Sequence, residues 1–264
     1  YTPSSPKAPQ ANIDIIINNA SGTSITMAKG TVFTTTVDGT SYQYITNSDF
    51  TTTPVAGVYK FSSVPILEGT LVQFKYTFDS TDSDQKFIIP SNKVDTSTLQ
   101  VRVQNSSDDT TIETYALAGG YNNVTSTSKI YFIQEGQDGK YEIYFGDGTN
   151  GKALQDGNII ILDYIVTNVA ESNGASSFKL SGNIGGFTNV TISTTSSSQG
   201  GVAGETNDSI KLNAPLQYAA QDRAVTTTDY ESLVKTIYPN ALSVSAWGGE
   251  DDETPRYGIV KIGV

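Results

Sequence analysis

Up to residue 204 the apolar side chains recur at every second position or gather in short apolar runs, and only in residues 205–264 does their spacing lengthen to about 3.6. Leu99, Val101 and Val103 alternate with Gln100, Arg102 and Gln104, as Tyr141, Ile143 and Phe145 do with Glu142 and Tyr144. A period of two buries one face of a pleated strand and leaves the other more exposed, which no amphipathic helix can do. The expected fold is therefore mainly β with a small C-terminal α+β module, in a multi-domain chain. The many threonines and tyrosines suit half-buried strands, and glycine and proline supply the turns between them.

Breaks in the pattern suggest the boundaries. Residues 1–11, rich in proline and serine, read as a linker or entry arm. Residues 12–92 read as an all-β module, with strands near 13–17, 25–37, 41–46, 58–64, 71–78 and 86–89, and a hairpin at Asp38-Gly39. Residues 93–204 read as a second β module that ends in a Ser/Gly-rich loop over 193–204.

Residues 205–264 form the α+β module. Asn213-Ala214-Pro215 reads as a helix entry, and Thr228-Asp229-Tyr230-Glu231 matches a capping box. Tyr230, Leu233, Val234 and Ile237 follow at helical spacing, and Pro239 supplies the stop. Arg223 lies between the two expected helices beside Asp222, where an ion pair or a helix C-terminal contact is the plain reading. Two strands over 241–247 and 257–264 close the chain. They are joined by the acidic run Glu250, Asp251, Asp252 and Glu253, a solvated loop or a docking patch for a basic partner. Trp247 is expected as a core anchor, with an interface hot spot as the alternative.

The densest glycine cluster follows Phe145: Gly146, Asp147, Gly148, then Asn150-Gly151. An oxygen-rich calcium loop would need ligands at alternating positions and a later glutamate, which Gln155-Asp156 does not supply, so Asp147 is expected to bond its own turn backbone. Glu135, Asp138, Glu142 and Asp147 could offer a carboxylate pair for glycoside hydrolysis, but any acidic β protein holds such pairs. Cysteine and histidine are absent, which removes thiolate chemistry, the commonest zinc ligand and the usual general base. No catalytic residue, metal or cofactor is expected.

A net charge of -11 makes nucleic acid a poor partner. No apolar run approaches the ~20 residues that span a bilayer, and no signal peptide opens the chain. The first residue is not methionine and the chain stops inside an apparent strand, so a fragment of a longer protein is expected.

Four segments carry a resemblance: FIIPSNKVDTSTLQVRV at 87–103, KIYFIQEGQDGKYEIYFGDGTNGKALQDGNIIILDYIVT at 129–167, APLQYAAQDRAVTTTDYESLV at 214–234, and WGGEDDETPRYGIVKI at 247–262. In this order they resemble the baseplate J family of contractile phage tails, and most closely the wedge proteins of T-even-like phages. The resemblance implies a non-enzymatic structural protein of the virion, assembled in the host cytoplasm into the tail baseplate. It implies contacts with other copies of itself, as a dimer within a larger ring, with other wedge proteins and with hub or sheath. Phe145 with Gly146, Asp147, Gly148 and Gly151 would then fix a hairpin, and Arg223 and Asp229 would pin the helical module, with Thr228 and Tyr230 as structural motif residues beside them. Trp247 and Gly258 would be further structural motif residues, and Glu250 to Glu253 would be a candidate contact loop. A carbohydrate- or receptor-binding tail module is the alternative function, suggested by the tyrosines and the β-rich surface.

Overall fold

The computed structural model describes residues 4–18, 22–119, 124–220, 223–238, 241 and 243–264. Its strands begin with β1 (Gln10–Asn18), β2 (Ile25–Met27), β3 (Val32–Val37), β4 (Thr40–Ile45), β5 (Phe50–Thr52) and β6 (Val58–Glu68). Next come β7 (Thr70–Thr77), β8 (Phe87–Ile88), β9 (Val94–Gln104), β10 (Ile112–Leu117), β11 (Ile130–Glu135), β12 (Tyr141–Phe145) and β13 (Ile159–Val166). After β14 (Lys179–Ser181) and β15 (Thr191–Gln199), helices α1 (Asn207–Ala220) and α2 (Thr227–Ile237) precede β16 (Ser245–Gly248) and β17 (Val260–Gly263). The chain is mainly β with a C-terminal α+β region. It divides into two compact units, Ser5–Ala203 and Gly204–Val264, the latter including Ser4.

The larger unit holds two main sheets. One is six-stranded, in the order β14-β3-β4-β6-β1-β15, and antiparallel throughout. Alternation explains its core: Ala11, Ile13, Ile15 and Ile17 of β1 point inward with Phe33, Tyr44, Tyr59 and Ile66. Each fully buried large side chain contributes about 1.5–3 kcal/mol. The β3–β4 turn is the expected Asp38-Gly39 pair, and both residues take positive φ, 49° and 82°, as a two-residue hairpin of matching twist requires.

The other sheet is seven-stranded, β7-β13-β9-β10-β11-β12-β8, with β10 and β11 parallel. Its core contains Val101, Val103, Tyr115, Tyr141, Ile143 and Ile160. The sheet curls so far that its two edge strands approach one another, and the Tyr76 hydroxyl of β7 donates to the Ile88 carbonyl of β8 at 2.6 Å.

Several expectations are corrected. The run over 193–204 is not a loop at its start: residues 191–199 form β15, which pairs antiparallel with β1. Its alternating serines and threonines give no hydrophobic signal because this edge strand is held chiefly by backbone hydrogen bonds. Residues 5–9 are not a loose arm, since Ser5 and Ala8 are buried and Lys7 bridges Val202. The sheets do not divide at residue 92 either, because β7 already lies in the seven-stranded sheet while β14 and β15 return to the six-stranded one. In the C-terminal unit α1 starts at Asn207, two turns before the expected entry, with the Thr206 hydroxyl accepting from the Ser209 amide at 3.3 Å. Pro215 sits inside that helix.

Candidate functional site

Phe145 ends β12 with its ring edge-on to Phe87 (centroids 5.7 Å apart) and Tyr115 (5.5 Å), so the core of the seven-stranded sheet fixes the point where the glycine turn begins. Gly146 then passes so close to the Gly151 backbone that it has no space for a side chain, and Gly151, tight against Ile130, takes a φ of +95°. Asp147 Oδ1 accepts from the Thr149 and Asn150 amides, both at 2.8 Å. Those two backbone donors, Asn150 first, hold the Asp147 carboxyl below the usual aspartate range. The carboxylate closes its own turn, as expected.

The turn does not join a hairpin. β12 is flanked by β11 and β8, and β13 by β7 and β9, so three strands separate the two. Residues 146–158 therefore cross one end of the sheet. Among the described residues, no group of three or more acidic side chains is placed to hold a metal ion.

At the start of α2 the capping box is Thr226–Asp229, two residues before the Thr228–Glu231 reading. Thr226 Oγ1 accepts from the Asp229 amide at 3.2 Å, while Asp229 Oδ2 accepts from Thr226 (2.9 Å) and Val225 (3.2 Å). Thr228 is an exposed residue within the helix. Of the threonines at 226–228, Thr228 alone is followed three residues later by the usual Glu, whereas the box that forms has Asp229 in that place. Glu231, free of capping, accepts from the Ala246 amide at 2.9 Å and ties α2 to β16. The Thr226 amide, then that of Val225, lowers the Asp229 carboxyl, and the charge of Arg223 adds to this. The Arg223 amide also closes the end of α1 on the Ala220 carbonyl at 2.9 Å. Tyr230 is half-buried on α2. Asp222 and Pro239, expected as an ion-pair partner and a helix stop, lie outside the described residues.

In the final two-stranded sheet, Ala246 is buried and Trp247, on the opposite face, is 36% exposed beside Lys261 and over Gly263. The buried side chain of this strand is thus that of Ala246, and the expected core anchor Trp247 lies on the more exposed face. Between the strands, Gly249 donates to Ile259 and accepts from Arg256, both at 2.8 Å, and Gly258 takes a φ of +77°. Asp252 pairs with Lys261, while Glu250, Asp251 and Glu253 remain exposed. The unit buries little: among its described residues the buried apolar side chains are Ala220 and Ala246, whereas Leu212, Tyr218, Val225, Ile237 and Tyr257 are 54% or more exposed together with Tyr238.

Sequence reasoning passed over three buried carboxylates in the larger unit. Glu68, at the end of β6, accepts from the Thr167 hydroxyl (2.6 Å), the Asn168 amide (2.9 Å) and the Asn168 side chain (2.8 Å). Asp95 accepts from the Ala8 amide at 2.9 Å and Lys7 at 3.2 Å. Asp163 meets Gln73 at 2.8 Å, Arg102 at 2.5 Å and Lys29 at 3.5 Å. Burial alone would raise the Asp163 carboxyl, but the Gln73 amide and the charges of Lys29 and Arg102 outweigh it and hold it low. Only the position of Asp163 inside the apolar run of β13 hinted at this in the sequence.

Two family models match the chain. Residues 70–171 match "Bacteriophage baseplate wedge protein gp6, third domain", and residues 226–264 match "Baseplate structural protein gp6, C-terminal domain I". Across 98% of its length the chain is 25% identical to the baseplate wedge protein gp6 of Enterobacteria phage T4. The chain belongs to the gp6 baseplate wedge family.

The gp6 third-domain match begins at the first residue of β7 and ends just after β13, so it encloses the whole seven-stranded sheet and none of the six-stranded one. The gp6 C-terminal match begins at the capping residue Thr226 and covers α2, β16 and β17. The chain spans 42% of the length of the T4 gp6 protein it matches. A baseplate chain of the anti-feeding prophage superposes over 92% of this chain and 45% of its own, with a TM-score of 0.32 and 13% identity, a level that carries no inference about the fold.

Proposed function

We propose that this chain is a structural part of a baseplate wedge in a contractile phage tail and works by contact rather than catalysis. The observation that carries the reading is the match to T4 gp6 across 98% of the chain, running through both units. In this reading its neighbours are other wedge proteins and further copies of itself, in a ring around the hub with hub or sheath nearby, and it reaches the virion after assembly in the host cytoplasm. The large exposed apolar side chains of Gly204–Val264 support a contact role, since a unit that buries two alanines and exposes several aromatic and branched side chains gains stability when a partner covers it. Glu250, Asp251 and Glu253 are the exposed members of a candidate contact loop at the same end of that unit's sheet.

The test is to attach a visible tag to the chain in intact particles and locate it by electron microscopy. Density at the baseplate is expected, and density along the tail fibres or at the capsid overturns the reading. Sedimentation of the isolated protein adds a second check: a monomer that binds glycans saturably would favour a tail adhesin.

A further inference from the structure

The two main sheets of Ser5–Ala203 have separate cores with no side chain in common. Between them lies a small patch in which Ala8, Ile45, Leu67 and Ile165 are buried, with Val32 and Leu71 against it. The chain passes from one sheet to the other at Gly69, between β6 and β7, and again in the segment after β13 that leads to β14. These crossings touch. A Cβ on Gly69 would stand 2.3 Å from the Val166 carbonyl oxygen. Both carry left-handed backbone: Gly69 has a φ of +124°, and Val169, a branched residue for which this region is disfavoured, has a φ of 61°. Glu68 stitches the crossings together through Thr167 and Asn168.

Away from the crossings the sheets are held by polar contacts. Lys29, between β2 and β3, reaches Gln100 at 2.7 Å and Asp163 at 3.5 Å on the seven-stranded sheet. The segment before β1 reaches β9 through Lys7 and Ala8 to Asp95, and through Ser5 to Thr96 at 2.8 Å.

We propose that Ser5–Ala203 is a hinged pair of sheets, with Gly69 and Thr167–Val169 as the pivot and the Lys29–Asp163 and Lys7–Asp95 contacts as latches. Two adjacent chain crossings restrict motion to rotation about one line, and latches made of ion pairs have two discrete states, closed or solvated. Each sheet keeps its own core in either state, so the apolar surface that opening exposes is the small shared patch, together with the polar latch residues. The joint allows one sheet to swing while the other stays docked against a neighbour.

The chain has no cysteine, so paired spin labels can be placed at Thr36→Cys on β3 and Ser107→Cys beyond β9 without background. Pulsed dipolar spectroscopy of the parent should give a single distance population. Lys29→Gln leaves Asp163 still paired with Arg102 and Gln73, so the fold is kept, and a second, longer population should appear. Adding Asp95→Asn should enlarge that population while amide protection persists in both β1 and β13. An unchanged single population in Lys29→Gln overturns the hinge, whatever the double variant does. Loss of protection from β1 and β13 together also overturns it, because the two sheets would then be one cooperative core.

Discussion

Gly146 and Gly151 pack backbone to backbone in the turn after β12: a Cβ on Gly146 would stand 2.2 Å from the Gly151 carbonyl carbon. Gly146→Ala must push that backbone aside and should cost about 3 kcal/mol. Gly157→Ala, at a φ of +79° with nothing within 4 Å, bears only the left-handed penalty of about 1 kcal/mol. Urea unfolding of the two variants separates the causes, and equal midpoints would mean that the turn relaxes around the methyl group.

Thr226 rather than Thr228 caps α2. Thr226→Ala should destabilise the helix by about 1 kcal/mol. Thr228→Ala, inside the helix, should be neutral or slightly stabilising, by at most about 0.5 kcal/mol. Amide exchange over 227–237 reads both. The Asp229 half of the box has a lowered carboxyl pKa, so its contribution is present above the ordinary carboxyl value of 3.8 and is lost as pH falls through the lower folded value.

Glu68 is fully buried and satisfies three donors from two residues. Glu68→Ala leaves the Thr167 hydroxyl and the Asn168 groups without an acceptor and should cost about 3 kcal/mol. Glu68→Gln keeps the shape and one acceptor oxygen and should cost less. Thermal melting in that order, Ala below Gln below parent, is the expected result.

Tyr115 is buried beside Glu113, and burial first, then that charge, pushes its hydroxyl up to about 12 from 10.0. The unfolded chain therefore ionises first, and the stability tied to the neutral phenol is lost as pH rises from 10 to 12. Denaturant midpoints across that window should fall more steeply for the parent than for Tyr115→Phe. Parallel curves would show that Tyr115 does not carry the effect.

Local patterns foretold most of the strands. Alternation marked β9 and β12, the Asp38-Gly39 pair marked the β3–β4 turn, and the helical spacing of Tyr230, Leu233, Val234 and Ile237 marked α2. Asp147 folding onto its own turn was equally legible, since an Asx turn involves only neighbouring residues. Thr226 was missed because Thr228 alone has the usual Glu three residues on, and the choice depends on which carboxylate is free: Glu231 is used by β16.

The sequence by itself determined which face of β9 is buried, where the backbone must turn, and that the two α-helices among the described residues lie near the C-terminus, because side-chain periodicity and turn chemistry act over a few residues. Tertiary structure alone decided which strands are neighbours. Nothing local to Tyr141–Phe145 or Ile159–Val166 says that three strands lie between them, because backbone donors and acceptors are the same in every strand and pair with whichever edge the core brings near. The same cause hid β15, whose place beside β1 rests on backbone pairing rather than apolar pattern. It also hid Glu68, Asp95 and Asp163, three ordinary carboxylates until two sheets close around them and supply their donors.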